Sequence, residues 1–364
     1  MIELVGVDLP PSGPRGAHEP HRRPAGSAAH AATWEFFETT DPAEACEFLG
    51  LAYSTSMRMG SAGDEQFMRH VRRDFGPFCV NDLFMGMEAR YEVSPIGSLV
   101  IVQPRTGWAE HRWANTVERV RPGDIAVVAP PHLPFTTHLR DLDTGSVQLS
   151  QRLLMRTAGF AEHQPESALR FTATQPSSAG LADHWAGSVT RVRSALAASA
   201  AAVNEPLAVG NIARGLAESA LLAFPHTGAP VPTSADSHDA TAEAVTRAVA
   251  FIEENAHIDI GLVDIAAATR VTPHALRIAF ARHHPTSAVG YLRGVRLGRA
   301  HFDLLAAVSP VPADGPSTVA VRQEAADAAL LAGVGARWGF TSQADFSASY
   351  HHRYGVSPGD TLAL

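Results

Sequence analysis

A short run near the end of the chain, from Gly333 to Tyr350, admits few folds. Gly339 follows Trp338 at a point where a helix stops, because a residue without Cβ takes the left-handed conformation at no steric cost. Ser342 is a helix cap, and Asp345, three residues on, places an acid in the first turn, where the helix dipole favours it. Phe346 and Tyr350 are four residues apart and share one face, which leaves Gln343, Ala344, Ser347, Ala348 and His351 on the other. The run predicts helix, tight turn, helix, with a small polar face on the second helix of the kind that enters a DNA major groove.

A second unit of this type lies upstream. In Val271-Thr272-Pro273-His274-Ala275-Leu276-Arg277-Ile278-Ala279-Phe280, Thr272 is a cap, Pro273 suits the first helical position, and Leu276, Ala279 and Phe280 form a buried stripe. Arg337-Trp338-Gly339-Phe340, Ser342-Gln343, the two aromatics four apart and Arg353-Tyr354-Gly355-Val356-Ser357-Pro358 resemble the second helix-turn-helix of AraC/XylS-type transcription regulators. The upstream run resembles the first, and Tyr291-Leu292 with Arg296-Leu297-Gly298-Arg299-Ala300 is similar to the helix that joins them.

The resemblance implies which residues touch double-stranded DNA. His274, Arg277 and Ile278 stand at positions matching base-facing ones in the family, and Arg277 has the geometry to donate two hydrogen bonds to guanine O6 and N7. Gln343 could pair with an adenine edge, with Ser342, Ser347 and His351 beside it. Thr272, Arg282, Arg296 and Arg337 complete the set, in or next to the two reading units. The net charge is −8, and all 29 basic residues are arginine. Clustering of arginines about the two units outweighs that balance locally, and a modest non-specific affinity with a shallow salt slope follows.

Residues 33–165 read differently. Short apolar runs such as Ser98-Leu99-Val100-Ile101-Val102 and Asp124-Ile125-Ala126-Val127-Val128 are punctuated by Pro and Gly, the texture of a small barrel or jelly roll. Before them, Asp41-Pro42 starts a helix. Together they resemble the cupin-like sensor domain of many AraC-type regulators. Metal cupins use a His-x-His pair, a Glu and a later His, whereas this chain has His111-Arg112-Trp113, and Phe135 at the later position, with His132 and His138 nearby. No metal and no cofactor is expected, since first-row metals need three or more protein ligands. A pocket for a small-molecule effector is the favoured reading, with Trp108, His111, Trp113 and Phe135 as its candidate residues and core packing as their alternative.

In residues 166–224, Leu181, Trp185, Val189, Val192, Leu196 and Val203 recur at steps of three and four. This seam is read as a homodimer contact, against the alternative of packing on the chain's own barrel. Residues 225–240, rich in Pro, Ser and Thr, are a linker, and residues 1–32 a disordered arm without the apolar run of a signal peptide. Residues 241–364 form the reader. Two departures from the family stand out: His283-His284-Pro285-Thr286-Ser287-Ala288 lacks the usual Gly and Pro, and residues 309–329 lengthen the segment before the second unit.

The expected fold is therefore α+β and multidomain: an N-terminal cupin-like β-barrel, a helical dimerisation region, and a C-terminal all-α domain with two helix-turn-helix units. The expected function is a cytoplasmic, non-enzymatic, effector-controlled transcription regulator. No segment reaches the roughly 18 apolar residues of a membrane span, and the resemblance admits RNA polymerase as a further partner. The alternatives are a metal-dependent cupin enzyme with a degenerate DNA-binding tail, and a dimeric scaffold that has lost strong DNA binding.

Overall fold

The computed structural model describes residues 32–62, 67–160, 164–198, 205–228, 238–307 and 317–363. The arm before residue 32, Val203 and Asn204, residues 229–237 of the linker and residues 308–316 of the long segment lie outside the described residues. The order is β1 (Thr33–Thr39), α1 (Pro42–Ala52), β2 (Met57–Ala62), β3 (Met68–Asp74), β4 (Phe78–Val93), β5 (Ser98–Trp113), β6 (Thr116–Val120), β7 (Ala126–Val127) and β8 (Phe135–Ser150). Helices follow: α2 (Gln151–Ala158), α3 (Ala179–Ala198), α4 (Pro206–Ala223), α5 (Ala242–Asn255), α6 (Leu262–Thr269), α7 (Pro273–His283), α8 (Ala288–Ala307), α9 (Ser317–Arg337), α10 (Gln343–Tyr354) and α11 (Pro358–Leu362).

The strands form one antiparallel sheet in the order β1-β3-β4-β8-β5-β6, with β2 on the far half of β4 and β7 on the near half of β5. This is the N-terminal antiparallel sheet domain expected from the sequence, with no pairing between β1 and β6 among the described strands. Strands β4, β5 and β8 each run 16 residues, three times the length that the Pro and Gly punctuation suggests. They continue through those residues because the register shifts there instead of ending, between Pro104 and Thr106 and again between Thr106 and Trp108. Gly107 has φ +69°, and a Cβ on it would overlap the Asp141 carbonyl, so the bulge requires glycine.

The bulges decide which side chains face inward. In β5 the inward residues are Val100 and Val102 before the shift, but Ala109 and His111 after it, a change of parity. In β8 the same change separates Phe135, Thr137 and Leu139 from Leu142, Thr144 and Ser146. The inner face, with α1 packed on it, holds one core that includes Met68, Met85, Tyr91 and Leu139. Helix α1 begins as expected, with Asp41 accepting the Ala43 amide at 2.8 Å and Pro42 in the first turn.

The outer face holds a second core. Phe78, Val80, Leu99, Ile101, Val147 and Leu149 pack against Leu154, Trp185, Val189, Leu196, Ile212 and Leu216. The apolar seam of α3 is thus filled by the chain's own sheet and by α4, which corrects its reading as a dimer contact. Trp185 is 2% exposed and meets Phe224 edge-on at 6.3 Å. A long seam needs a long partner, and three 16-residue strands supply one as well as a second helix would. Arg193 of α3 clamps the helix to β4 by donating to both Asp82 carboxylate oxygens and to the Asn81 carbonyl.

The first residues of the presumed linker are ordered. The Thr172 amide donates to Pro225 O, and the Thr227 amide to Arg170 O, tying residues 225–227 to the chain before α3. Separate cores serve the two reader units: Val245, Ala248, Ile252, Ile265, Leu276 and Phe280 in the first, and Leu297, Leu304, Phe340, Phe346 and Tyr350 in the second. Part of the long segment before the second unit proves to be helix, since α9 begins at Ser317 and runs 21 residues.

Candidate nucleic-acid interface and ligand cavity

Helices α6 and α7 form the first helix-turn-helix. The Asp264 carboxylate accepts the Gly261 amide at 2.7 Å, a link that starts α6. Arg270 ends α6 in the left-handed conformation, φ +60°, and the Val271 amide returns to Ala266 O. Thr272 then caps α7 by accepting the Ala275 amide at 3.0 Å. Thr272 therefore has a structural task beside any contact with DNA. With Leu276, Ala279 and Phe280 buried, Arg277 and Arg282 are exposed and His274 is half-buried. Arg277 makes no hydrogen bond or ion pair with the described residues. Ile278 packs partly against the first reader core and presents only part of its side chain outward.

The second unit is built alike from α9 and α10. Gly339, φ +83°, stops α9: its amide donates to Ala336 O and that of Phe340 to Gly335 O. Ser342 caps α10 through the Asp345 amide at 3.2 Å. Phe346 and Tyr350 are fully buried, while Gln343 and His351 are exposed and Ser347 is half-buried. Gln343, like Arg277, has no partner among the described residues. Arg337 is exposed, 3.5 Å from Asp303, and neighbouring Trp338 donates from Nε1 to the same carboxylate at 2.8 Å.

Arg296 is a correction. It lies on α8 at 4% exposure, donating from Nε to Ala256 O at 2.9 Å and from Nη2 to Ile258 O at 2.8 Å. Burial, with the nearby Arg214 charge adding to it, pushes its pKa down to about 10. A guanidinium committed to two carbonyls at the end of α5 cannot reach a phosphate, so Arg296 leaves the DNA-contacting set. Two other arginines also fix the units. Arg293 donates to Asp345 at 2.6 Å and to Ser349 at 2.7 Å, and Arg353 donates to Gly294 O at 3.1 Å, so both tie α10 to α8.

The turn between α7 and α8 closes without the Gly and Pro that the resemblance leads one to expect. The Thr286 amide donates to His284 Nδ1 at 3.2 Å, Ser287 Oγ accepts the Gly290 amide at 3.1 Å, and His284 packs edge-on to Tyr291 at 5.1 Å. Side chains thus replace the missing backbone geometry.

Sequence reasoning missed the contacts between the sheet half and the reader. Arg156 of α2 donates to both Asp264 carboxylate oxygens, at 3.1 and 2.7 Å, and to Asp259 O at 3.3 Å. From α4, Arg214 donates to the Asp259 carboxylate at 2.6 Å, and Asn211 Nδ2 donates to Gly339 O. Helices α2 and α4 therefore hold the entry of the first unit, and α4 also holds the turn of the second. These partners are far apart in sequence, and no local pattern announces them.

The inner face of the sheet lines a partly open cavity of about 100 Å³. His111 and Phe135 line it, as expected from sequence; their rings meet edge-on at 6.3 Å. Trp108 does not. The bulge at Gly107 turns it to the outer side of β5, where Arg119 sits over its ring at 4.5 Å and His138 meets it edge-on at 4.9 Å. Trp113 faces inward but is packed in the core at 8% exposure, away from the cavity lining. His111 Nδ1 lies 2.9 Å from Thr137 Oγ1, and burial drives its pKa down to about 4, so the ring is neutral near pH 7. His138 faces away from the cavity and pairs with Glu88 at 2.9 Å. Among the described residues, no group of three or more His, Cys, Asp or Glu side chains is placed to hold a metal ion. Among the same residues, no helix is long and apolar enough to cross a membrane.

Two units of this form, each with a buried stripe inward and an exposed polar face outward, define a bipartite helix-turn-helix domain behind an antiparallel sheet domain. No protein-family description matches the chain, and no curated protein matches it. Solved structures to which it is similar include the AraC-like transcriptional activator CuxR, at 18% identity over 73% of this chain and 95% of that one, TM-score 0.39. A probable AraC family transcriptional regulator from Rhodopseudomonas palustris is 22% identical over 33% of this chain and 94% of that one, TM-score 0.26. ToxT from Vibrio cholerae with a bound unsaturated fatty acid is 10% identical over 78% of this chain and 94% of that one, TM-score 0.24.

Proposed function

We propose that the chain is an AraC/XylS-type transcription regulator that binds double-stranded DNA through α7 and α10 under the control of a small molecule held by the sheet domain. The observation that carries the reading is the pair of capped helices with unpartnered polar side chains, Arg277 on one and Gln343 on the other. Arg277 can donate two hydrogen bonds to a guanine edge, and Gln343 can donate to adenine N7 while accepting from adenine N6; each such pair is worth about 1–3 kcal/mol of discrimination. His274 and Ile278 stand beside Arg277 toward the bases, and Thr272, Arg282, Arg337, Ser342, Ser347 and His351 flank the two helices and would position the units on the backbone.

Control would pass through α2 and α4. An effector shifts the reader only by binding two arrangements unequally, and the Arg156–Asp264 and Asn211–Gly339 contacts are what such arrangements would differ in. The protein acts in the cytoplasm on this reading. Pairing of two copies would use a surface other than the α3 seam, and RNA polymerase would be met only once the protein is on DNA.

Selection of bound duplexes from a random library tests the reading. Two short motifs about one helical turn apart are expected. Enrichment no greater than salt-sensitive background would overturn it.

A further inference from the structure

The cavity under the sheet has an uneven chemistry. At about 100 Å³ it is on the scale of one ring, since an apolar cavity of roughly 150 Å³ accepts benzene. Its wall is mostly aliphatic and contains no Arg, Asp or Glu. Six polar side chains reach it: Tyr53, Tyr91, His111, Thr137, Thr144 and Ser146. Five have partners inside the protein. Tyr91 OH donates to Met87 Sδ at 3.9 Å. Tyr53 OH lies 3.4 Å from His70 Nε2, Thr137 Oγ1 meets His111 Nδ1 at 2.9 Å, Thr144 donates to Gly145 O, and Ser146 Oγ accepts from Asn81 Nδ2 at 3.2 Å. His111 Nε2 remains. It is buried and has no hydrogen-bond partner, on a residue 5% exposed.

The tautomer sets what a ligand must bring. A buried N–H without an acceptor is rarer than a buried acceptor without a donor. The tautomer that leaves no buried N–H unpaired has its proton on Nδ1, donating to Thr137 Oγ1, and a lone pair at Nε2. An anion in this cavity would face a neutral imidazole and no cation, and a cation would find no carboxylate. A polyol would leave most of its hydroxyls unpaired against aliphatic walls.

Resting on the reading of this cavity as the effector site, we infer that it takes a neutral, single-ring-sized, mainly apolar molecule with one hydrogen-bond donor, a phenol or cyclic alcohol, whose donor sits on His111 Nε2. Phenol, toluene and benzoate form the test set, because methyl and hydroxyl are close in size while carboxylate adds charge. Calorimetric titration of the full chain is expected to show phenol binding about tenfold tighter than toluene, the effect of one buried hydrogen bond, and no benzoate binding at the same concentrations. His111→Phe should erase the preference for phenol. If that variant does not fold, the ¹⁵N shift of His111 Nε2 in the wild-type chain gives the same answer, moving when phenol is added and not when toluene is.

Toluene binding as tightly as phenol, benzoate binding, no phenol binding, or an unmoved Nε2 signal would each overturn the inference. The regulator reading fails separately. An enriched duplex with no phenol binding removes only the ligand class, whereas phenol binding without any enriched duplex removes only the regulator.

Discussion

Replacing Arg296 by Met separates the DNA contact expected from the sequence from the structural role that the fold gives the same side chain. In the wild type its guanidinium donates to Ala256 O at 2.9 Å and Ile258 O at 2.8 Å, the carbonyls at the end of α5. Hydrogen bonds to a charged group contribute about 1.5–3 kcal/mol each, and their loss leaves two buried acceptors unpaired. Against this stands the cost of burying the charge itself, which removal recovers in part. The net loss is on the order of 2–4 kcal/mol, and for a domain of this size each kcal/mol lowers the midpoint by roughly 4 °C. Arg296→Met should therefore lower the reader's thermal midpoint by about 10 °C. Well below that midpoint, the slope of log affinity against log salt on a cognate duplex should not change, because no phosphate contact is lost. An unchanged midpoint with a salt slope shallower by about one would return Arg296 to the DNA surface and refute the reasoning.

Other consequences are as direct. Arg156→Ala and Asp264→Asn should each loosen the sheet half from the reader, and a double-mutant cycle should give a coupling of about 1 kcal/mol, since the pair is partly exposed; additive effects would place the coupling elsewhere. His70 and His111 are both held down to about 4, by burial and, for His70, by Arg72 against an opposing Asp82. Both are neutral in the fold when the unfolded chain would protonate them, so stability should fall as pH drops from about 6.5 to about 4, by up to roughly 3 kcal/mol per imidazole. His111→Phe should flatten that profile, and an identical profile would contradict the assignment. Trp185→Ala should cost about 3–5 kcal/mol of folding stability without changing the sedimentation behaviour of the folded fraction. A stable protein whose association weakens would restore the α3 seam as a dimer contact.

The reader was legible because its signals are local. Gly339, Ser342, Phe346 and Tyr350 each state a backbone or burial requirement within one helical turn, and Thr272 with Pro273 does so for the first unit. Trp108 was not legible, because a bulge reverses the inward side of β5 between Val102 and Ala109 and nothing short of the pairing register reveals it. His111, on the far side of the same bulge, lines the cavity. Arg296 looks like any helix arginine until α5 ends against it. The seam of α3 has the right period for a partner, but period does not say whether the partner is a sheet of the same chain or a helix of another.

The measurement closest to the central claim is the affinity of Arg277→Ala for its selected duplex and for variants of that duplex, at one stated salt concentration. If Arg277 reads a base, the substitution should cost about 1–3 kcal/mol on the selected sequence and relax discrimination at one position, leaving the thermal midpoint in place. Unchanged affinity and unchanged discrimination would mean that the outward face of α7 does not read DNA, and the account of this protein as a sequence-specific regulator would fall.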